Sequence, residues 1–526
     1  MTTINILDST LRDGAQCEGI SFTMQDKIDI VKKLDRLGIS YIEAGNPFSN
    51  IKDLEFFETA KSMNLKNSKL VAFGSTRRKN INVNEDSGIK ALIKADTEVV
   101  TIFGKSSLSQ VKEVLETTPD ENILMIKDTI AYLKKAQKTV FFDAEHFFDG
   151  YLENKDYAIK TIITAQNAGA DCIILCDTKG ATFPTEIANI TKKIKSLLNC
   201  CVGIHCHNDI GCAVANSIIA VDSGATQVQG TYLGLGERCG NANLSTVIPD
   251  LQCKKNYSCI PDECVPLLTQ TARYIAEIAN VVLPNYYPYV GKSAFAHKGG
   301  MHVDGVAKKT STFEHINPEN VGNKRSFLIS EMAGRSAVLN IVNEFDVKID
   351  KNSGEAAEIV NLLKEQELNG YVFEAATASL ELLVKKHLKL IKPFFELVYF
   401  KVIGEQVKGY EEKLSSAMIK IKVGQKTEIT AAEGSGPVNA LDIALKKAVV
   451  SFYPQVENMH LIDYKVRVIG TTDATAALVR VFVVSTDGDD IWTTVGVSHD
   501  IIDASLQALT DSIEYKLMKF KRWRSC

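Results

Sequence analysis

Along the first 235 residues two hydrophobic patterns alternate: a short apolar, β-branched run, then a stretch whose apolar positions return at three and four residues, the pair recurring about every thirty residues. The runs at 4–8, 41–45, 70–74, 98–103, 139–145, 172–177, 201–207 and 227–234 predict eight strands. Stretches such as 24–37 and 158–168 predict intervening helices, each laying one apolar face on a sheet. Eight parallel strands with crossover helices in about 250 residues are the size and order of a closed (β/α)8 TIM barrel. A doubly wound open sheet is the alternative. The barrel is favoured because polar residues able to do chemistry fall at the C-terminal ends of several different strands, where a barrel gathers its loops around one mouth.

Near residue 292 the rhythm changes to a polar, loop-rich stretch with helical patterns at 354–368 and 375–390. Beyond residue 400 alternating runs at 417–423, 464–469, 477–485 and 491–497 predict strands, and 437–451 and 500–515 predict helices. Ile443-Ala444-Leu445 and Ala504-Ser505-Leu506 sit at matching places in the two helical segments, which reads as an internal repeat of a compact α+β unit. The expected organisation is a barrel over 1–290, mostly helical linker subdomains over 291–398, and a C-terminal α+β domain over 399–526. The turn EGSG at 433–436, just before a helix, exposes backbone N–H groups suited to a carboxylate, so Gly434 and Gly436 are candidate ligand contacts.

Composition narrows the classes. The 526 residues are 45% hydrophobic and 24% charged, which excludes a disordered or fibrous chain. Lys and Arg number 60 against 64 Asp and Glu, so no basic field exists to grip a nucleic-acid backbone, and no nucleic acid is expected as a partner. The start, MTTINILDSTLRDGAQ, has no basic segment followed by an apolar one, and no run reaches the ~18 apolar residues of a membrane span. The expectation is a cytoplasmic protein without membrane partners. Twelve cysteines without a C-x-x-C pair predict reduced, mostly buried thiols rather than a disulfide framework or zinc ribbon.

Three segments carry chemistry. The first strand runs into Asp8-Ser9-Thr10-Leu11-Arg12-Asp13-Gly14-Ala15-Gln16, the seventh into His205-Cys206-His207-Asn208-Asp209, and the eighth into Gly234-Leu235-Gly236-Glu237-Arg238-Cys239-Gly240-Asn241. Residues two apart in a strand face the same side, so both imidazoles point into one site while Cys206 faces the barrel wall. Strands one, seven and eight are neighbours in a closed barrel, which gathers Asp13, His205, His207 and Asn241. One carboxylate, two imidazoles and one amide oxygen suit a divalent ion of the Mn, Mg, Zn or Co range with positions open to substrate oxygens. A closed structural zinc site would instead use thiolates.

The segments LDSTLRDGAQ, GIHCHNDIG, GLGERCGNANL and AHKGGMHVDG together resemble the 2-isopropylmalate, homocitrate and citramalate synthases, the condensing members of the DRE-TIM metallolyase superfamily. FFDAEHFFDGY at 141–151 resembles the citramalate branch. The resemblance spans nearly the whole chain and implies a metal-dependent condensation of acetyl-CoA with a 2-oxo acid, pyruvate foremost, followed by thioester hydrolysis. It implies metal ligation by Asp13, His205, His207 and Asn241, and charge stabilisation and substrate binding by Arg12. It further implies work near the acetyl group by Glu145 and acceptor-carboxylate binding by Thr178, with Gln16 and Glu43 at the mouth. The linker's His302 is expected to come from the partner subunit of a homodimer and to assist acetyl-CoA deprotonation. Where some relatives carry a nearby tyrosine this chain reads Thr312-Phe313-Glu314-His315, leaving His297 or His315 as stand-ins. DTKGATFP also departs from the commoner DTNGGTLP. The C-terminal domain resembles the family's regulatory domain, with isoleucine the expected effector. The nearest rival is a 2-isopropylmalate synthase taking 2-ketoisovalerate; a lyase and a non-catalytic amino-acid sensor are more distant.

Overall fold

The computed structural model describes residues 2–298, 300–327, 342, 345, 347, 349, 353–373, 375–404, 415–469, 477–488 and 490–523. They fall into two compact units, Met1–Ala296 with Glu314–Ser326, and His297–Phe313 with Phe327–Cys526. In the first, β1 (Asn5–Asp8), β2 (Tyr41–Gly45), β3 (Lys69–Ser75), β4 (Val99–Lys105), β5 (Thr139–Glu145), β6 (Cys172–Asp177), β7 (Cys201–Cys206) and β8 (Gln227–Gly230) form a closed barrel. All neighbours are parallel, and the ring closes where Asn5 to Asp8 pair with Gln227 to Gly230. The eight predicted strands are all present.

Outward-facing Ile6, Ile42, Val100, Phe142, Ile173, Ile204 and Val228 join the shell packed against the surrounding helices. Inward-facing Leu7, Val71, Val99, Phe141, Cys172 and Ile174 plug the barrel interior. Strands apolar on both faces read as continuous apolar runs, which made them visible in the sequence. Two residues further along, the period-two alternation carries Tyr41 to Glu43, Phe141 to Asp143, Ile174 to Cys176 and Gln227 to Gln229, so a polar layer sits on the apolar plug. The helix Met24–Leu37 shows how the shell is fixed: Thr23 and Asp26 form a reciprocal capping box, Ile30, Val31, Leu34 and Leu37 are buried, and Gly38 at φ 90° ends it.

Two strand ends differ from expectation. β8 stops at Gly230 rather than 234, because Leu233 (φ 65°) and Gly234 (φ 70°) take left-handed conformations that turn the chain back. β7 stops at Cys206, and His207 instead makes a single bridge to Asn241. Cys206 is fully buried in the outer shell, away from the mouth.

In the second unit the helices Gly300–Lys308, Gly354–Leu368 and Thr377–His387 precede two three-stranded antiparallel sheets. The strands β9 (Glu396–Gly404), β10 (Ser415–Val423) and β11 (Lys426–Gly434) lead into the helix Pro437–Val450, and β12 (His460–Ile469), β13 (Leu478–Thr486) and β14 (Ile491–Ser498) into Ile501–Trp523. Among the described residues the repeat is therefore three strands and a helix, twice. The sequence pattern missed β9 and β11, whose residues are mostly exposed or half-buried and so lack a clean apolar face. Ile419, Ile421, Leu441, Leu445, Val481, Val483 and Leu509 build the core between sheets and helices. Among the described residues no helix is long and apolar enough to cross a membrane.

Candidate active site

The loop after β1 is a tight turn. The Ser9 carbonyl accepts hydrogen bonds from the backbone N–H groups of Arg12, Asp13 and Gly14 at 3.1, 2.9 and 3.0 Å. The buried Asp8 carboxylate accepts from Thr10 N and Thr10 Oγ1, both at 2.9 Å, and Thr10 Oγ1 accepts from Tyr232 N at 2.8 Å, tying this turn to the one after β8. Burial lifts the Asp8 carboxyl to about 7, against the hydrogen bonds from Thr10 that lower it.

This turn presents Arg12 and Asp13. The Arg12 guanidinium donates through Nε to Glu43 Oε2 at 2.6 Å and through Nη1 to Asp13 Oδ2 at 2.7 Å, and lies 3.9 Å above the Phe73 ring. Burial acts to lower the Arg12 pKa, but the charges of Glu43 and Asp13 raise it, so this cation is permanent and fixed. For Asp13, burial acts upward, and Arg12 followed by His205 and His207 outweigh it, holding the carboxyl at about 2.

Asp13, His205 and His207 each offer a ligand atom within 4.8 Å of the others, and all three are buried. His205 Nε2 lies 3.8 Å from Asp13 Oδ2, and its Nδ1 lies 3.1 Å from Gln229 Oε1. Gln229 in turn donates from Nε2 to Asp143 Oδ1 at 3.0 Å, which aims its oxygen at the imidazole. Burial and then His207 lower the His205 pKa to about 4, so the ring is neutral near pH 7. Asn241 donates from Nδ2 to Asp13 Oδ1 at 2.8 Å and to Leu235 O at 3.0 Å. Asn241 Oδ1 and His207 Nδ1 are buried without a hydrogen-bond partner. An orphaned buried amide oxygen and an orphaned imidazole nitrogen beside an ionised carboxylate are what a divalent cation would satisfy, so the residues present fit one. Gly240 keeps Asn241 here: at φ 84° an added Cβ would fall 1.9 Å from the Gly234 carbonyl oxygen.

The mouth is a cavity of about 240 Å³ lined by Arg12, Asp13, Gln16, Phe73, Phe103, Asp143, Glu145, Cys176, Thr178, His205, His207, Glu237 and Arg238. Glu145 Oε2 is 2.6 Å from Lys105 Nζ. Thr178 Oγ1 accepts from His146 N at 2.8 Å, which leaves the hydroxyl proton to donate elsewhere. Arg238 forms a two-pronged pair with Asp209 at 2.7 and 2.9 Å and donates to Thr178 O at 2.9 Å, joining the loops after β6, β7 and β8.

The barrel thus brings together Arg12, Asp13, Gln16, Glu145, Thr178, His205 and His207, with Asn241 and Glu43 one contact behind Asp13 and Arg12. His302 belongs to the second unit, exposed on the helix Gly300–Lys308 and stacked on Phe313 at 4.3 Å. His297 lies in that unit too, whereas His315 lies in the first, stacked on Phe295 at 5.7 Å. Gly434 ends β11, where an added Cβ would meet Ala440 N at 2.5 Å, and Gly436 precedes the next helix with open space around it. Sequence reasoning missed Gln229, Asp143, Lys105 and Arg238. The signal for Gln229 was its register opposite His205 on an inward-facing row.

Residues 3–280, over half of the chain, match the model of the HMGL-like family. The chain belongs to the HMGL-like family. Residues 289–368 match the homocitrate synthase post-HMGL domain-like model, and 374–517 the LeuA allosteric (dimerisation) domain. Among curated relatives, the (R)-citramalate synthase of Aquifex aeolicus is 52% identical over 98% of both chains. That of Geobacter sulfurreducens is 49% identical over 99% of this chain and 98% of its own. A probable 2-isopropylmalate synthase of Methanopyrus kandleri is 31% identical over 97% of each. In this HMGL-like barrel the buried Asp13, His205 and His207 lie at the C-terminal face, where barrel enzymes carry their active sites.

Proposed function

We propose that the protein is a citramalate synthase, condensing acetyl-CoA with pyruvate and hydrolysing the thioester to release (R)-citramalate and CoA. The observation that carries this reading is full-length identity of 52% and 49% to two (R)-citramalate synthases, against 31% to the 2-isopropylmalate synthase.

Asp13, His205 and His207, with the Asn241 oxygen, would hold a divalent ion such as Mn or Mg. When bound, the ion supplies Lewis acidity to the acceptor carbonyl. Arg12, fixed by Glu43 and Asp13, presents positive charge where oxyanion charge builds, and needs no rearrangement to do so. The Thr178 hydroxyl, its lone pair taken by His146 N–H, donates its proton to the acceptor carboxylate. Glu145, anchored by Lys105, orients the acetyl group or the hydrolytic water, and Gln16 borders the acceptor.

In this reading the enzyme works in the cytoplasm as a homodimer, and His302 reaches the partner's site to take the acetyl proton. Exposed apolar residues on two strands of the dimerisation-type domain, Val398 and Ile403 on β9 and Val466 and Val468 on β12, support an assembly that covers them. The C-terminal domain binds isoleucine at the turn holding Gly434 and Gly436 and lowers activity. The domain limits at 290 and 398 belong to the same proposal.

Acetyl-CoA thioester loss by the purified protein, with and without Mn or Mg, against pyruvate, 2-ketobutyrate, 2-ketoisovalerate, 2-oxoglutarate and glyoxylate, tests the reading. Metal-dependent turnover with pyruvate as the preferred acceptor is the expected result. Preference for 2-ketoisovalerate would move the enzyme to the rival reaction. Silence with every acceptor would overturn both.

A further inference from the structure

The apolar plug at the base of the barrel contains two thiols that the reaction does not use. Cys172 opens β6, Cys201 opens β7, and the two are direct register partners. Their Sγ atoms are 2.7 Å apart, with Cys172 placed as donor to Cys201. Adjacent strands lie about 4.7–4.9 Å apart, inside the roughly 4.4–6.8 Å Cα spacing a disulfide spans. Both are free thiols.

The two sulfurs are unequal. Cys201 is half-buried, and its Sγ also lies 3.3 Å from Thr226 Oγ1. The hydrogen bond from Cys172, opposed by burial and aided by Thr226, brings the Cys201 thiol down to about 7. Cys172 is fully buried, and burial pushes its thiol well up. A half-buried sulfur held against a fully buried one is the division of labour of an attacking and a resolving cysteine.

We infer that Cys172 and Cys201 form a peroxide-sensitive dithiol that closes to a cross-strand disulfide between β6 and β7. The Cys201 thiolate attacks one oxygen of hydrogen peroxide, the O–O bond breaks, and the leaving hydroxide takes a proton to become water, leaving a sulfenic acid. The Cys172 sulfur then attacks the Cys201 sulfur, an S–S bond forms as the S–O bond breaks, and the departing hydroxyl leaves as water with the Cys172 proton. Two thiols are oxidised by two electrons and one peroxide is reduced to two waters. Thr178 and His205 lie at the opposite ends of the same two strands, so the cross-link forms away from the mouth.

Full-length protein treated with hydrogen peroxide, alkylated and mapped without reduction tests this. The expected result is one linked pair of peptides joining Cys172 to Cys201, lost on dithiothreitol treatment and retained in Cys200→Ser. In Cys172→Ala and in Cys201→Ser the linked pair is absent. If the untreated fold is lost in either variant, the wild-type map still decides. Full alkylation of Cys201 after peroxide, or its linkage to another cysteine, overturns the inference.

Discussion

Gln229 Oε1 faces His205 Nδ1 at 3.1 Å because Gln229 Nε2 is committed to Asp143 at 3.0 Å. The amide oxygen can only accept, so it fixes the tautomer with the proton on Nδ1 and leaves the Nε2 lone pair directed toward Asp13. Gln229→Leu removes that acceptor in a fully buried position. Its affinity for Mn, measured by calorimetry on metal-stripped protein, is expected to fall about 10-fold or more.

Arg12 touches Glu43, Asp13 and the Phe73 face at once. Lysine cannot reproduce the fork or the stacking. Arg12→Lys is expected to lower kcat by about 100- to 1,000-fold, the range for losing a fixed donor to developing negative charge. Steady-state kinetics with saturating metal would show a much smaller change if Arg12 were only a structural cation.

Asp13 ionises at about 2 and lies within reach of both imidazoles. Asp13→Ala is expected to abolish stoichiometric metal binding together with turnover. Metal content after dialysis and thioester assay read the two losses separately, and full metal-dependent activity in this variant would displace the proposed site.

Asp8 titrates at about 7 in the folded protein against 3.8 for the free group, because burial disfavours its charge. The folded state therefore holds a proton that the unfolded state loses between those values, and stability falls as pH rises from about 4 to 7. Denaturant titrations of wild type and Asp8→Asn across that window should differ in slope by about 1.4 kcal/mol per pH unit, the wild type losing more. Parallel pH profiles would mean the carboxyl is ionised throughout.

Much of the barrel was legible because strands buried on both faces read as unbroken apolar runs, and because Asp13, His205 and His207 fall at strand ends. The second unit was less so: β9 and β11 have no strictly alternating apolar face, and Leu233 gives no sign in the sequence that it adopts φ 65° and ends β8 early. Gln229 and Asp143 escaped for another reason. They stand 86 residues apart, and a lone amide or carboxylate in a strand acquires meaning only once the register places it beside a particular imidazole.

The ring of strands is completed by hydrogen bonds between β1 and β8, and Asn241 meets Asp13 although the two stand 228 positions apart in the chain. Affinity for the proposed ion would therefore be a property of the finished circuit rather than of any stretch along it. A nascent chain ending before β8 carries Asp13, His205 and His207, three of the four proposed donors, without the strand that closes the ring around them. Acquisition of metal would then mark, during synthesis, the moment at which the first and last staves of the barrel have met.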